Sequence, residues 1–393
     1  MNPGAWRGHP YALMQVAAGI AGAITVLLVL WEAFETIILP RRVTRHLRFT
    51  RLFYRFTWAP WATVVARIGR RRLRETLLSV YGPASLLGLV AAWAALLVVG
   101  FGVIDWSLET GLRSTLPYRG FWTDIYLSGT TFFTLGMGDV TPNSSLGRLV
   151  TVIESGTGFG FLAIVIGYIP TIYQSFSRRE SNITLLDARA GSPPSAAELL
   201  RRHAADGGLD ALNEWLRDWE GWAADLLESH LSYPVLCYFR SQHDNQSWLG
   251  ALTTILDACA LVMVGVDSVP RRQAKLTFAI ARHTVVDLAQ IFSTKPETPP
   301  FDRLPDDKLG ELRSLLASAD LALQEGPEPE RRLRELRALY EPYVFALADH
   351  MRIVLPQWTP TTSQADNWQT SAWGRIEGIS TPRDVASKKA DHL

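Results

Sequence analysis

The stretch from Ala84 to Ile104 carries no charge, and the stretch from Leu149 to Tyr173 carries only Glu154. Each meets the ~20-residue length that a helix needs to cross a hydrocarbon core. Between them lies Thr130-Thr131-Phe132-Phe133-Thr134-Leu135-Gly136-Met137-Gly138-Asp139-Val140-Thr141-Pro142, in which glycine alternates with a large apolar residue. Glycine permits backbone geometries closed to most residues, so consecutive carbonyls can point the same way and replace the water shell of an ion. A loop of that kind needs membrane-spanning segments on both sides, and here it has them. The region from Thr123 to Phe133 suits a short helix, with Thr123 or Asp124 placed to cap its first amides.

At Thr134, Leu135, Gly136, Met137, Gly138 and Asp139 the sequence resembles the selectivity filter of potassium channels, usually Thr-Val-Gly-Tyr-Gly-Asp or a close relative. The resemblance covers about residues 83–173. It implies that the carbonyls of Thr134, Leu135, Gly136 and Met137 and the Thr134 hydroxyl line the ion sites, with Asp139 at the outer mouth. It also implies four chains around one pore, because one loop per chain cannot surround an ion. The expected permeant ion is potassium, with no cofactor and no other metal. Two positions depart from the family: Phe133 stands where many members have Thr, and Met137 where Tyr or Phe braces the filter. A flexible thioether braces less well, so the resemblance implies a cation pore whose preference for potassium over sodium depends on Met137.

A first apolar tract, Ala12 to Trp31, is too long for a signal's apolar core and is followed by arginines, not by a cleavage site. It reads as a retained span running to Leu39 and stopped by Pro40, with Glu32 and Glu35 ion-paired near the interface. Arginines crowd the segment between the first and second spans, from Arg41 to Arg74, whereas the loops of the pore region hold only Arg113, Arg119 and Arg148. By the positive-inside rule the basic segment is cytoplasmic, the amino terminus outside, and the glycine loop enters from the outer face of the plasma membrane. Phe49, Leu52, Phe53 and Phe56 share one helical side beside Arg48, Arg51 and Arg55, which suits a helix lying on anionic headgroups. The three-residue spacing of Arg45, Arg48 and Arg51 also allows a voltage-sensing reading, but only one span precedes them to shield the charge.

In the last span Gly156, Gly158 and Gly160 are either a hinge or a packing surface, and Pro170 is a second bending point near the cytoplasmic end. Glu154 reads as a hydrogen-bonded support behind the filter, or as a residue at the outer interface. Beyond Tyr173 the composition turns polar, with Gly191-Ser192-Pro193-Pro194-Ser195 as a linker. Helical spacing then recurs at Leu209 to Leu226 and near 247–267, 270–293, 305–325 and 330–354. Ile255 to Gly265 is apolar but too short to span and reads as a buried core helix. Trp215, Trp219 and Trp222 read as packing. His283 and Asp287, four apart, permit a metal pair without a supporting motif. Cys237 and Cys259 read as buried thiols.

The expected architecture is an all-α membrane protein: three transmembrane helices with a re-entrant pore helix and filter loop, then an all-helical cytoplasmic domain. The segments are 1–40 (first span), 41–82 (basic interfacial segment), 83–176 (pore domain), 177–355 (helical cytoplasmic domain) and 356–393 (mobile tail). No catalytic constellation, nucleotide-binding Gly-x-Gly-x-x-Gly or nucleic-acid signature is present, and the formal net charge is only +1. The expected function is a homotetrameric cation channel, with a non-selective cation channel or a membrane-anchored helical signalling module as alternatives. The partners are other copies of the chain, the bilayer and an unspecified cytoplasmic ligand or protein.

Overall fold

The computed structural model describes residues 9–39, 49–108, 112–114, 120–205, 209–243, 245–266, 269 and 271–360. They form two units, one comprising residues up to Arg67 together with Pro83–Tyr173, the other comprising Ile68–Gly82 and Gln174 onward.

The first unit contains α1 (His9–Ile37), α2 (Phe49–Ala66), the body of α3 (Arg71–Ser107), a short α4 (Phe121–Phe132) and the first half of α5 (Ser145–Ala190). Its core is built from Val26 and Val29 of α1, Leu89, Trp93, Leu97 and Phe101 of α3, Phe132 of α4 and Phe161 of α5. Glycine sets how closely α1 approaches α3, since a Cβ on Gly22 would stand 2.7 Å from the Gly100 carbonyl oxygen. Such contacts let two apolar helices pack where lipid gives no hydrophobic drive. Glu32 is buried and accepts the Thr50 amide at 3.0 Å, tying α1 to the start of α2. Of the expected basic side chains on that segment, Arg51 and Arg55 are described, and Arg41, Arg42, Arg45 and Arg48 lie outside the described residues, as do Pro40 and Arg119.

Several sequence boundaries need correction. The second span does not start from a separate segment ending at residue 82, because α3 is already helical at Arg71. The last helix does not end at Tyr173, and it runs on through Pro170 to Ala190. Proline removes one hydrogen bond without stopping a helix whose neighbours hold it. The short helix is capped by Gly120 and starts at Phe121, ahead of Thr123 and Asp124. The polar loop before it is not wholly irregular: β1 (Leu112–Ser114) pairs antiparallel with β2 (Val140–Pro142), joining Ser114 to Val140. The fold is therefore mostly helical with a two-stranded ribbon.

The second unit adds α6 (Ala196–Ala204), α7 (Leu209–Ser232), a 3-10 turn (Pro234–Tyr238), α8 (Trp248–Gly265), α9 (Arg271–Ile291), α10 (Asp306–Ala317), α11 (Pro327–Ala338) and α12 (Glu341–Met351). α8 is buried at every residue, with α9, α11, α6 and α12 against it. Among the described residues it is one of four helices long and apolar enough to cross a membrane, with α1, α3 and α5. The expected single helix at 330–354 is two, broken at Leu339 and Tyr340. Trp215, Trp219 and Trp222 are buried, with neighbouring ring centroids 5.3 and 4.6 Å apart. Both cysteines are buried free thiols, and burial pushes their pKa values up.

The tail does not begin at residue 356. Trp358 is 1% exposed, and the Arg303 and Arg337 guanidiniums both sit 5.6 Å from its ring centroid. Residues 361–393 lie outside the described residues.

Candidate functional site

The loop that follows α4 is held to it at its base. The Leu135 amide donates to the Thr130 carbonyl at 2.7 Å, and the Thr134 amide to the Thr131 carbonyl at 2.9 Å. With Thr134 at φ 57, this is the reversal that usually closes a helix on a left-handed glycine. A threonine there accepts a cost on the order of 1–2 kcal/mol to hold the geometry. Left-handed backbone then recurs at alternate residues, at Gly136 (φ 54) and Gly138 (φ 77), while Leu135 and Met137 between them are not left-handed. Alternating handedness brings successive carbonyls toward one side of a ribbon, which is the arrangement an ion needs.

Phe133, Leu135 and Met137 are 60%, 66% and 66% exposed in the single chain. Asp139 is tethered from two directions, with Tyr126 of α4 donating to its Oδ2 at 2.9 Å and the Val140 amide to its Oδ1 at 3.0 Å. The pairing of β2 with β1 begins at the next residue. Sequence reasoning missed Tyr126. Its signal was spacing: an aromatic hydroxyl two turns before the end of a short helix can reach back along the loop that descends beside it.

Behind the loop, Glu154 of α5 is fully buried and hydrogen-bonded to the hydroxyl of Ser128 on α4. The Ser128 oxygen also lies 2.7 Å from the Val98 carbonyl oxygen of α3, so one hydroxyl sits between the short helix and both flanking helices. Asp105, near the end of α3, is also fully buried and lies within electrostatic range of Glu154 and Asp124. The alternative surface position for Glu154 therefore does not hold within this chain.

The three glycines of α5 divide. A Cβ on Gly158 would stand 2.0 Å from the Phe132 carbonyl oxygen, so this glycine lets α5 pass the last turn of α4. Gly156 and Gly160 meet nothing within 4 Å. The helix is unbroken through all three and through Pro170. In the second unit, His283 Nε2 lies 3.4 Å from Asp287 Oδ2, and no cluster of three ligating side chains occurs among the described residues.

Comparison with known proteins adds to this geometry. Residues 92–175 match the ion channel family model. A membrane protein of Bacillus subtilis strain 168, YdjJ, described as uncharacterized, is 26% identical over 194 residues, or 48% of this chain and 55% of that protein. The chain thus spans about half the length of that relative. No solved structure matches. The match over 92–175 covers the short helix, the glycine loop and the buried carboxyl behind it, so the similarity to ion channels falls on the segment whose geometry is described above.

Proposed function

We propose that the protein is a homotetrameric cation channel of the plasma membrane that passes potassium through Thr134 to Asp139. The observation that carries this reading is the alternation of left-handed backbone at Thr134, Gly136 and Gly138. Three spans, α1, α3 and α5, carry the chain across the bilayer, with the amino terminus outside and the second unit in the cytoplasm. α8 does not span, since every one of its residues is buried within its own unit. Arg51 and Arg55 of α2 face anionic headgroups. Glu154, through Ser128, holds the pore helix between its neighbours, and α5 bears the gate. The exposure of Phe133, Leu135 and Met137 in one chain supports a filter completed by other copies.

The test is cation flux into liposomes holding the full-length protein, with potassium and sodium gradients compared. Potassium flux that falls to background in Gly136→Ala is the expected result, because a Cβ at φ 54 is strained and disturbs the alternation. Undiminished flux in that variant overturns the filter assignment. Absence of flux in the wild type across membrane voltages favours the anchored signalling module. Equal potassium and sodium flux places the protein in the non-selective class, and Met137→Tyr is then expected to raise discrimination against sodium.

A further inference from the structure

The helical unit contains a cavity of about 640 Å³, within the size range of small-molecule sites. One wall is the first two turns of α3, with Arg71 and Glu75, and another is the loop after the 3-10 turn, with Arg240 and Ser241. The turn at Pro193, Pro194 and Ser195, the start of α8 and the segment after α12 complete it. Three features define what it would hold. The first is charge. Glu75 lies 3.6 Å from Arg240 and 4.0 Å from Arg74, while Arg71 makes no ion pair among the described residues. The lining therefore keeps a positive charge that its own carboxylate does not absorb.

The second is the end of α8 that lines the cavity. Ser247 caps it, accepting the Gly250 amide at 2.9 Å, and its first turn has no acidic residue to offset the helix dipole. The third is an orphan: the Ser241 hydroxyl is shielded from water and has no hydrogen-bond partner. Side-chain amides and hydroxyls make up much of the remaining lining, and no Phe, Tyr or Trp is among the described lining residues. A site without an aromatic platform is poorly suited to a nucleobase, which is commonly held by stacking. A site with a spare guanidinium, a helix start and many hydroxyl partners suits a phosphate on a polyol.

We propose that this cavity binds a glycerol-phosphate or sugar-phosphate group, as a free solute or as a lipid headgroup. Arg71 and the start of α8 take the phosphate, and Ser241 and the side-chain amides take the hydroxyls. The proposal does not depend on ion conduction and is read by binding alone.

The experiment is calorimetric titration of the full-length protein in nanodiscs of neutral phosphatidylcholine, using glycerol 3-phosphate, glycerol and a short-chain phosphatidylglycerol as separate probes. Saturable binding of glycerol 3-phosphate without binding of glycerol is expected. Arg71→Gln is expected to weaken it about tenfold, as loss of a charge-assisted contact does, and Ser241→Ala to weaken it less. Arg71 is exposed and unpaired among the described residues, so the variant keeps its unliganded melting temperature. If only phosphatidylglycerol binds, with the same dependence on Arg71, the headgroup is the source and the proposal stands. No saturable binding of either phosphate probe, or equal binding by wild type and both variants, overturns it.

Discussion

In the helical unit, Asp257 is fully buried with an Arg303 nitrogen 2.6 Å from its Oδ2, whereas in the membrane unit Glu154 and Asp105 are equally buried and meet no guanidinium or ammonium among the described residues. The first arrangement is a closed network. Arg303 also reaches Glu341 at 3.1 Å and the Pro356 carbonyl at 2.8 Å, Tyr340 donates to Asp257, and Arg337 spans Glu341 and Asp302. The second is one acid and one hydroxyl, from Glu154 through Ser128 to a backbone carbonyl, with both Asp105 oxygens buried nearby and without a hydrogen-bond partner. Charge paired with charge stitches separate segments together, here α8, the loop at 302–304, α12 and the irregular segment that leads to Trp358. A buried acid held only by a hydroxyl is bound more weakly, and it occurs where the short helix must be positioned and where, in the proposed channel, a positive side chain would repel the cation.

The largest expected effect comes from breaking the paired side. Arg303→Met leaves Asp257 and Glu341 buried without their shared cation, and the helical unit should lose about 3–5 kcal/mol. Urea unfolding followed by hydrogen exchange at the α8 and α12 amides measures it. The triple variant Asp257→Asn, Arg303→Met, Glu341→Gln should recover most of that loss, since the penalty belongs to uncompensated charge. A single variant as stable as wild type would show that the network is solvated and not a stitch.

A smaller effect is expected on the unpaired side. Glu154→Ala removes one of the two partners of Ser128 and should cost about 0.5–1.5 kcal/mol and reduce flux in the liposome assay, while Glu154→Gln keeps a hydrogen-bonding group in place and should retain most of both. If Ala and Gln variants conduct alike, Glu154 does not support the loop.

The same contrast explains what could be read in advance. The loop was legible because its chemistry is local: alternating glycines, a preceding short helix and two uncharged flanks are all contiguous in the chain. The bond from Glu154 was legible in kind, since an ionisable side chain within an apolar helix must find a partner, but Ser128 as that partner was not, because the two meet only after α4 folds back. The Asp257 network was not legible at all. Its members lie at 257, 302, 303, 337, 340, 341 and 358, and no spacing rule links residues brought together by the packing of α8, α11 and α12. That is why Trp358 read as part of a tail. The ribbon of β1 with β2 was missed for the same reason, three residues being too few to show alternation.

Arg179 tests the contrast from within the helical unit. It is a buried guanidinium whose deepest neighbours are neutral: it donates to the Leu236 and Phe239 carbonyls at 2.9 and 2.8 Å, and its Nη1 lies 3.2 Å from His230 Nε2. Glu180 pairs with it from the more exposed side at 2.9 Å. His230 Nδ1 faces the Leu226 carbonyl at 2.8 Å, which can only accept, so the ring hydrogen belongs on Nδ1 and Nε2 is left to accept from Arg179. Burial first, and the Arg179 charge second, hold the imidazole pKa well below its usual range. The unfolded chain then binds a proton below about pH 6.5 that the folded chain refuses, so this site's contribution is complete above that pH and declines as pH falls toward the depressed folded value. The slope for one proton is at most about 1.4 kcal/mol per pH unit. His203 and His350, also held low chiefly by burial, add acid sensitivity of their own, so the informative quantity is a difference. His230→Gln keeps an acceptor for Arg179 and cannot titrate. Its urea midpoint should fall less than that of wild type between about pH 7.5 and about pH 5.5; equal declines would mean that His230 takes up its proton in the folded protein and that the Arg179 site tolerates a second positive charge.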